Sequence, residues 1–330
     1  MRAMLALAPV AAFLVALLAA RLLLTAAGRR IALDTPNERS LHDRAVPRTG
    51  GIAIAAGVAA GVALVQPGLA VTLIAALALA VVFFVDDVAS LPTLVRFVAQ
   101  LGAAAAVVVY QLGYAEPVLF TVFVLAIAWY ANLYNFMDGS DGLAGGMAAI
   151  GFGAYAAAAQ VSGAGLFAAL CASIAAAALA FLVFNAHPAR LFMGDAGSVP
   201  LGFLAGALGI YGWSRGHWPI WFPLLVFAPF VCDATLTLLR RALRRERVWQ
   251  AHRDHYYQRL VRMGYGHRGT ALIEYSAMAA CAVAALLARR QPSTVQAATL
   301  AGVALALIAV AVWVDLRWAR HLRAAGSAAR

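Results

Sequence analysis

The chain has 330 residues, 64% of them hydrophobic and only 12% charged, against about 45–50% apolar and about 25% charged in soluble domains. A soluble globular protein is thereby excluded, and the question becomes how many bilayer-spanning helices the chain supplies. The formal charge of +11 comes from 25 arginines, no lysine and 14 acidic residues. In a soluble protein that balance would raise nucleic acid as a partner. In a membrane protein it bears first on orientation.

Apolar windows bounded by Gly, Pro and charge predict eleven spans: 4–25, 50–65, 68–85, 97–112, 118–133, 143–160, 164–184, 199–213, 219–239, 271–288 and 294–315. The first follows Arg2 and resembles a signal peptide, but its length and the rapid arrival of the second apolar block favour a retained helix. The loop after it runs from Asp34 to His42 and includes Arg39, then Pro47-Arg48-Thr49-Gly50-Gly51 opens the second span. Arg39, His42 and Arg48 offer donors to phosphate; read alone, the loop is equally an ordinary basic inner loop.

The third span runs into Asp86-Asp87. Two adjacent carboxylates are costly beside lipid without a cation or donors around them, and such a pair can bind Mg²⁺ or take a proton from a phosphate monoester. A solvated acidic helix end is the plain alternative. The fifth span ends in Asn132-Leu133-Tyr134-Asn135-Phe136-Met137-Asp138-Gly139-Ser140-Asp141. The three-residue recurrence of polar side chains predicts one helical face that brings Asn132, Asn135, Asp138 and Asp141 to a nucleotide, sugar or metal.

After the seventh span come Asn185-Ala186-His187-Pro188 and Phe192-Met193-Gly194-Asp195-Ala196-Gly197-Ser198. An aspartate between glycines at a helix start suits a metal and phosphate, because free backbone N–H groups face the ligand; it also suits simple N-capping. The longest loop carries Arg240, Arg241, Arg244, Arg245 and Arg247, then His252-Arg253-Asp254-His255-Tyr256-Tyr257. The arginines read as a headgroup anchor, and the two histidines as diphosphate contacts; a zinc site is disfavoured because the signature lacks its glutamate. Asp233, two turns before Arg240, and Glu274 in the tenth span read as buried structural acids. Cys171, Cys232 and Cys281 lie in apolar runs without metal-ligand spacing and read as core or lipid-facing residues.

With eleven spans, 20 of the 25 arginines fall on one side. The positive-inside rule makes that side cytoplasmic, with the N-terminus periplasmic and the C-terminus cytoplasmic. Almost all the acids share it, while the opposite loops are too short for chemistry. Residues 1–330 therefore read as a single integral membrane domain of all-α polytopic class, with a site built from loops 26–49, 86–96, 134–142, 185–198 and 240–270.

The ordered set of motifs from Asp34 to Gly266 resembles the polyprenyl-phosphate N-acetylhexosamine-1-phosphate transferases of glycosyltransferase family 4. The resemblance implies transfer of a sugar 1-phosphate from a UDP-sugar to undecaprenyl phosphate, with release of UMP, at the bacterial inner membrane. It implies Mg²⁺ on Asp195, with Mn²⁺ as a substitute, and Asp86 and Asp87 positioning or deprotonating the lipid phosphate. It implies uracil on Phe192, nucleotide-sugar contacts from Asn132, Asn135, Asp138, Asp141 and Asn185, and a diphosphate loop of His252, Arg253 and His255. The run HRDHYYQRL looks closer to O-antigen initiators acting on 6-deoxy-N-acetylhexosamines than to the His-Leu-His-His form, and the absence of lysine argues against a pentapeptide substrate. A homodimer and the lipid bilayer are the expected partners, and nucleic acid is not. Two rivals remain: an aspartate-rich membrane prenyltransferase, which should carry a second Asp-rich run, and an ion-coupled transporter, which should show repeated halves and mid-membrane polar groups.

Overall fold

The computed structural model describes residues 2–25, 32–34, 45–65, 68–113, 116–247 and 252–328. The predicted positions Arg39 and His42 lie outside the described residues.

Ten of the eleven apolar windows lie mainly within one helix each, whereas the window 219–239 is divided between a short helix and a longer one. The helices are α1 (Arg2–Leu23), α2 (Gly50–Val65), α3 (Ala70–Ala89), α4 (Thr93–Leu112), α5 (Pro117–Phe136), α6 (Leu143–Val161), α7 (Gly165–Asn185) and α8 (Asp195–Ser214). A short α9 (Phe222–Val226) precedes α10 (Ala228–Leu243), and α11 (Tyr256–Leu260) leads through a π-helical turn at Val261–Tyr265 into α12 (Gly266–Ala288) and α13 (Ser293–Ala328). Among the described residues eight helices are long and apolar enough to cross a membrane, so the chain is an all-α, multi-pass membrane protein. Two two-residue strands, β1 (Leu33–Asp34) and β2 (Val46–Pro47), pair antiparallel, with Leu33 opposite Pro47 and Asp34 opposite Val46.

Local chemistry sets the ends of these elements. Pro117 occupies the first turn of α5, where its missing N–H costs nothing, and the Glu116 carboxylate accepts from the N–H groups of Val118 and Leu119, both at 3.1 Å. Helix α8 starts at Asp195, earlier than the apolar window that announces it, because Gly194 turns the chain at φ 73° and lets residues 195–198 form a first turn.

Burial is inverted relative to a soluble bundle. Large apolar side chains such as Leu14 and Leu18 on α1, Ile74 and Leu77 on α3, and Leu305 on α13 are exposed, as lipid-facing residues should be. Helices α7 and α8 lie at the centre, packed by small residues and by an aromatic cluster in which Tyr155 lies 4.8 Å from Trp218 and 5.6 Å from Phe227. Two polar edges of that cluster are satisfied: Tyr155 Oη donates to Ala205 O and Trp218 Nε1 to Gly209 O, both at 3.0 Å. Helices α3 and α5 flank α8, and this places their ends beside its first turn.

Candidate active site

Residues 192–193 run along β2 and the start of α2. Phe192 N donates to Pro47 O, and its carbonyl accepts from Gly50 N; Met193 O accepts from Gly51 N, each bond being 2.8 Å. This ladder brings Arg48 and Phe192 to the head of α8. Gly194 is required there, since a Cβ would lie 2.6 Å from Arg48 O and 2.8 Å from Asp87 Oδ2, at a backbone angle that side chains resist.

A cavity of about 130 Å³ opens at this junction. Of the residues expected from sequence, Arg48, Asp87, Asp138, Asp141, Asn185, Phe192 and Asp195 line it. The adjacent acids separate. Asp87 faces the cavity: Oδ2 accepts from Ala196 N at 3.1 Å, Oδ1 from Asp195 N at 3.4 Å and from Arg48 Nη1 at 3.5 Å. These are first-turn donors of α8 that no helical carbonyl can reach. Asp86 points about 100° around α3 and closes the turn to α4, accepting from Leu91 N at 2.6 Å and pairing with Arg96 Nη1 at 3.0 Å.

Asn135 Nδ2 donates to Asp195 Oδ1 at 2.8 Å and to Ser198 Oγ at 3.0 Å, holding the carboxylate from the next helix. Asn132 does not share that face. Its amide donates to Gln100 Oε1 and Ala128 O, toward α4. Three-residue steps drift about 60° around a helix, so two of them carry Asn132 away from Asp138. Asn185 braces the site with both ends of its amide, accepting from Gly142 N at 3.0 Å and donating to Leu191 O at 2.9 Å.

A histidine and an aspartate that the motif reading did not single out complete the wall, and a second histidine stacks behind them. Asp34 lines the cavity and takes Arg48 Nη2 at 2.6 Å. His267, also in the lining, lies at the start of α12, where its Nδ1 is 2.9 Å from Ser140 Oγ and 3.3 Å from the Asp141 N–H that donates to it. A neutral ring accepting there carries its proton on Nε2. His187 stacks on His267 at 5.4 Å and bonds Asp141 Oδ2 at 2.7 Å. The signal available in sequence was a histidine between glycine and arginine just past the basic loop.

His252, Arg253 and His255 are not in the cavity lining. His255 is buried and stacks on His252 at 4.9 Å and on Phe136, at the end of α5, at 6.1 Å. Buried Asp233 of α10 holds this loop: Oδ1 accepts from His255 Nδ1 at 2.9 Å and Tyr256 N at 3.1 Å, and Oδ2 from Tyr257 N at 3.0 Å. Asp233 is thus a structural acid, as expected, and its partner is the histidine loop. Burial, His255 and Arg241 together pull His252 down to about 4, so it is neutral at pH 7. Asp315 of α13 ties the loop down as well, pairing with Arg240 and, at 2.9 Å, with Arg259.

The charge balance of the cavity bears on a divalent cation. The Asp138 carboxyl is pushed well above the usual carboxylate range by burial, then by the negative charges of Asp195 and Asp87. Arg48 is shared between Asp34 and Asp87. A divalent ion would relieve this excess. The carboxylates of Asp87, Asp138 and Asp195 around the cavity are the oxygen donors on offer to Mg²⁺, an ion that keeps waters and substrate phosphates among its ligands. The chemistry on offer is a cluster of carboxylates beside Arg48, a proton acceptor at Asp87 and an aromatic ring at Phe192.

Comparison with known proteins agrees with these features. Residues 69–213, from α3 to the end of α8, match the model of glycosyl transferase family 4. The chain is 32% identical over 290 residues, 81% of each protein, to a probable undecaprenyl-phosphate N-acetylglucosaminyl 1-phosphate transferase of Bacillus subtilis. It is 28% identical over 299 residues, 74% of this chain and 72% of the other, to a decaprenyl-phosphate N-acetylglucosaminephosphotransferase of Mycolicibacterium smegmatis. A phospho-N-acetylmuramoyl-pentapeptide-transferase of Geobacillus thermodenitrificans shares 45% identity over 101 residues, 31% of this chain and 30% of the other.

Proposed function

The chain belongs to glycosyl transferase family 4 as a phosphotransferase enzyme, and we propose that it transfers an N-acetylhexosamine 1-phosphate from a UDP-sugar to a polyprenyl phosphate. UMP leaves, and the polyprenyl diphosphate sugar primes a surface polysaccharide such as O-antigen at the cytoplasmic face of the inner membrane. The observation that carries this reading is the meeting of Asp87, Asp138, Asp195 and Arg48 around one cavity at the head of α8.

In the reaction an oxygen of the lipid phosphate attacks the β-phosphorus of the nucleotide sugar, and the bond from that phosphorus to the UMP oxygen breaks. Arg48 draws in the lipid phosphate and Asp87 takes its remaining proton. Asp195, steadied by Asn135, and Asp138 would hold Mg²⁺, which would supply neutralisation of the diphosphate charge. Phe192 offers its ring to uracil, and Asp141 keeps the His187–His267 stack against the cavity. The histidine loop pinned by Asp233 closes over the end of α5, where Tyr257 Oη donates to Phe136 O at 3.1 Å.

The test uses purified enzyme with undecaprenyl phosphate, Mg²⁺ and a panel of UDP-sugars containing UDP-N-acetylglucosamine, UDP-N-acetylgalactosamine and 6-deoxy-N-acetylhexosamine donors. UMP release and the lipid product are scored together. The expected outcome is release with at least one donor and strict dependence on the lipid phosphate. Release with none refutes the reading.

A further inference from the structure

A second hollow, of about 440 Å³, opens where the π-helical turn at Val261–Tyr265 meets α13. Gly264 and Tyr265 form one wall, and Arg317, Arg320 and His321 the other. It lies at the same end of the bundle as the polar cavity, since His267, two residues past Tyr265, lines that cavity, but the two share no lining residue. Gly264 makes the space: at φ 97° it breaks the helical path from α11 into α12. Aromatic rings hold the walls together. The Arg262 guanidinium sits over the Trp318 ring at 4.7 Å, and Tyr265 meets Trp313 edge-on at 6.2 Å. On α13 itself His321 stacks on Trp318 at 5.4 Å, and Arg317 lies over Trp313 at 5.6 Å.

We propose that this hollow binds the headgroup of an anionic phospholipid with a phosphodiester, such as phosphatidylglycerol, and that the bound lipid braces the turn, independently of the transferase reading above. Three observations argue for it. The first is charge. No acid lines the hollow; Asp315, the only acid of α13, is taken by Arg240 and Arg259, and among the described residues neither Arg317 nor Arg320 has a carboxylate partner. A phosphodiester meets two cations there, whereas the ammonium of a zwitterionic lipid finds no counter-charge. The second is depth. Helix α13 has 36 residues, about 54 Å at 1.5 Å per residue, against a hydrocarbon core of about 30 Å. Its apolar run ends at Val314, so Arg317 stands about 5 Å beyond it, within a headgroup layer of about 5–8 Å, and the Arg320 side chain leans back toward that layer. The third is the face. Val312 and Leu316 precede Arg320 at steps of four and are both exposed, so acyl chains descend directly from the arginine. A free phosphate makes no use of that apolar stripe. The turn itself joins α11, whose Tyr256 and Tyr257 N–H groups Asp233 holds, to α12 with His267, so the headgroup lies against the link between two walls of the candidate site.

The test titrates the full-length enzyme in detergent with phosphatidylglycerol or phosphatidylethanolamine and counts retained lipid by native mass spectrometry. Phosphatidylglycerol should be retained in preference, and the double variant Arg317→Gln, Arg320→Gln should bind it about 30-fold more weakly, from two lost charges at the headgroup layer. Arg320→Gln alone should cost about fivefold and serves if the double variant does not fold. Arg323→Gln is the control: its side chain is exposed, outside the lining and about 13 Å past the apolar run, beyond a Debye length, so the change should stay within about threefold. In phosphatidylcholine nanodiscs, added phosphatidylglycerol should slow amide exchange over residues 261–266 in the unmodified enzyme and not in the double variant. Equal retention of the two lipids, undiminished retention in the folded double variant, or an equal loss in Arg323→Gln overturns the assignment. So does displacement of the lipid by inorganic phosphate or by undecaprenyl phosphate, which would make the hollow a free-anion or substrate site. Unchanged exchange in the lipid-bound enzyme overturns the bracing.

Discussion

Adjacent acids on α3 should differ sharply when each is neutralised. Asp87→Asn keeps the shape and one acceptor for the α8 N–H groups, but removes the charge opposite Arg48 and the site that takes a proton. Loss of a positioned proton acceptor typically costs about 10²–10⁴-fold in rate, or about 3–5 kcal/mol of barrier. Asp86→Asn keeps an oxygen for Leu91 N–H and loses only the ion pair with Arg96, whose side chain is 33% exposed. Because the Asp86 carboxylate is itself buried, loss of the charged bond costs about 1–3 kcal/mol of stability, a cost to the fold rather than to turnover. The assay is UMP release at saturating lipid and UDP-sugar, with the melting midpoint in detergent measured on the same samples. The expected kcat falls by at least about 100-fold for Asp87→Asn and by no more than about threefold for Asp86→Asn. Equal losses in two well-folded variants, or nearly full activity in Asp87→Asn, would refute the division of roles.

Other consequences are as direct. Asp233→Asn leaves at least one of the buried Tyr256 and Tyr257 N–H groups without an acceptor, at about 1–3 kcal/mol; an unchanged melting midpoint would count against the clamp. Asp195→Asn should abolish both Mg²⁺-dependent UMP release and any Mg²⁺-induced rise in melting midpoint, while the protein still inserts in membranes. His252 is held near 4 when folded and lies near 6.5 when unfolded, so its folded form is favoured in full above pH 6.5 and loses that advantage as pH falls toward 4. Melting midpoints taken from pH 7 to pH 4 should drop over that window, and His252→Ala should flatten the drop.

The helices were legible because each apolar run must satisfy its own backbone in lipid, which leaves little choice but helix. That Asp87, Asp138 and Asp195 line one cavity could be anticipated in part, since an acid at the end of an apolar span, and acids beside Gly139 and Gly194 at helix ends, need a reason to be there. What sequence could not supply was rotation. Whether Asp86 or Asp87 meets α8 depends on the angle at which α3 packs, and Asn132 is turned toward Gln100 by the same angular drift that motif spacing conceals. The wall formed by Asp34 and His267 was hidden for another reason: His267 meets Ser140 across 127 positions. Asp233 was readable as a buried structural acid, but its partners at residues 256 and 257 are backbone groups that no residue identity reveals.

The carboxylate of Asp87 and the N–H of Ala196 that bonds it are 109 residues apart, and this has a bearing on biosynthesis. A chain emerging from the ribosome places α3 in the membrane long before α8 exists. Until residue 196 is made, Asp87 has none of the helix donors that hold it in the finished protein. The reaction centre is therefore among the last features of the bundle to take shape. Enzyme truncated anywhere before α8 would insert its early helices and still possess no site.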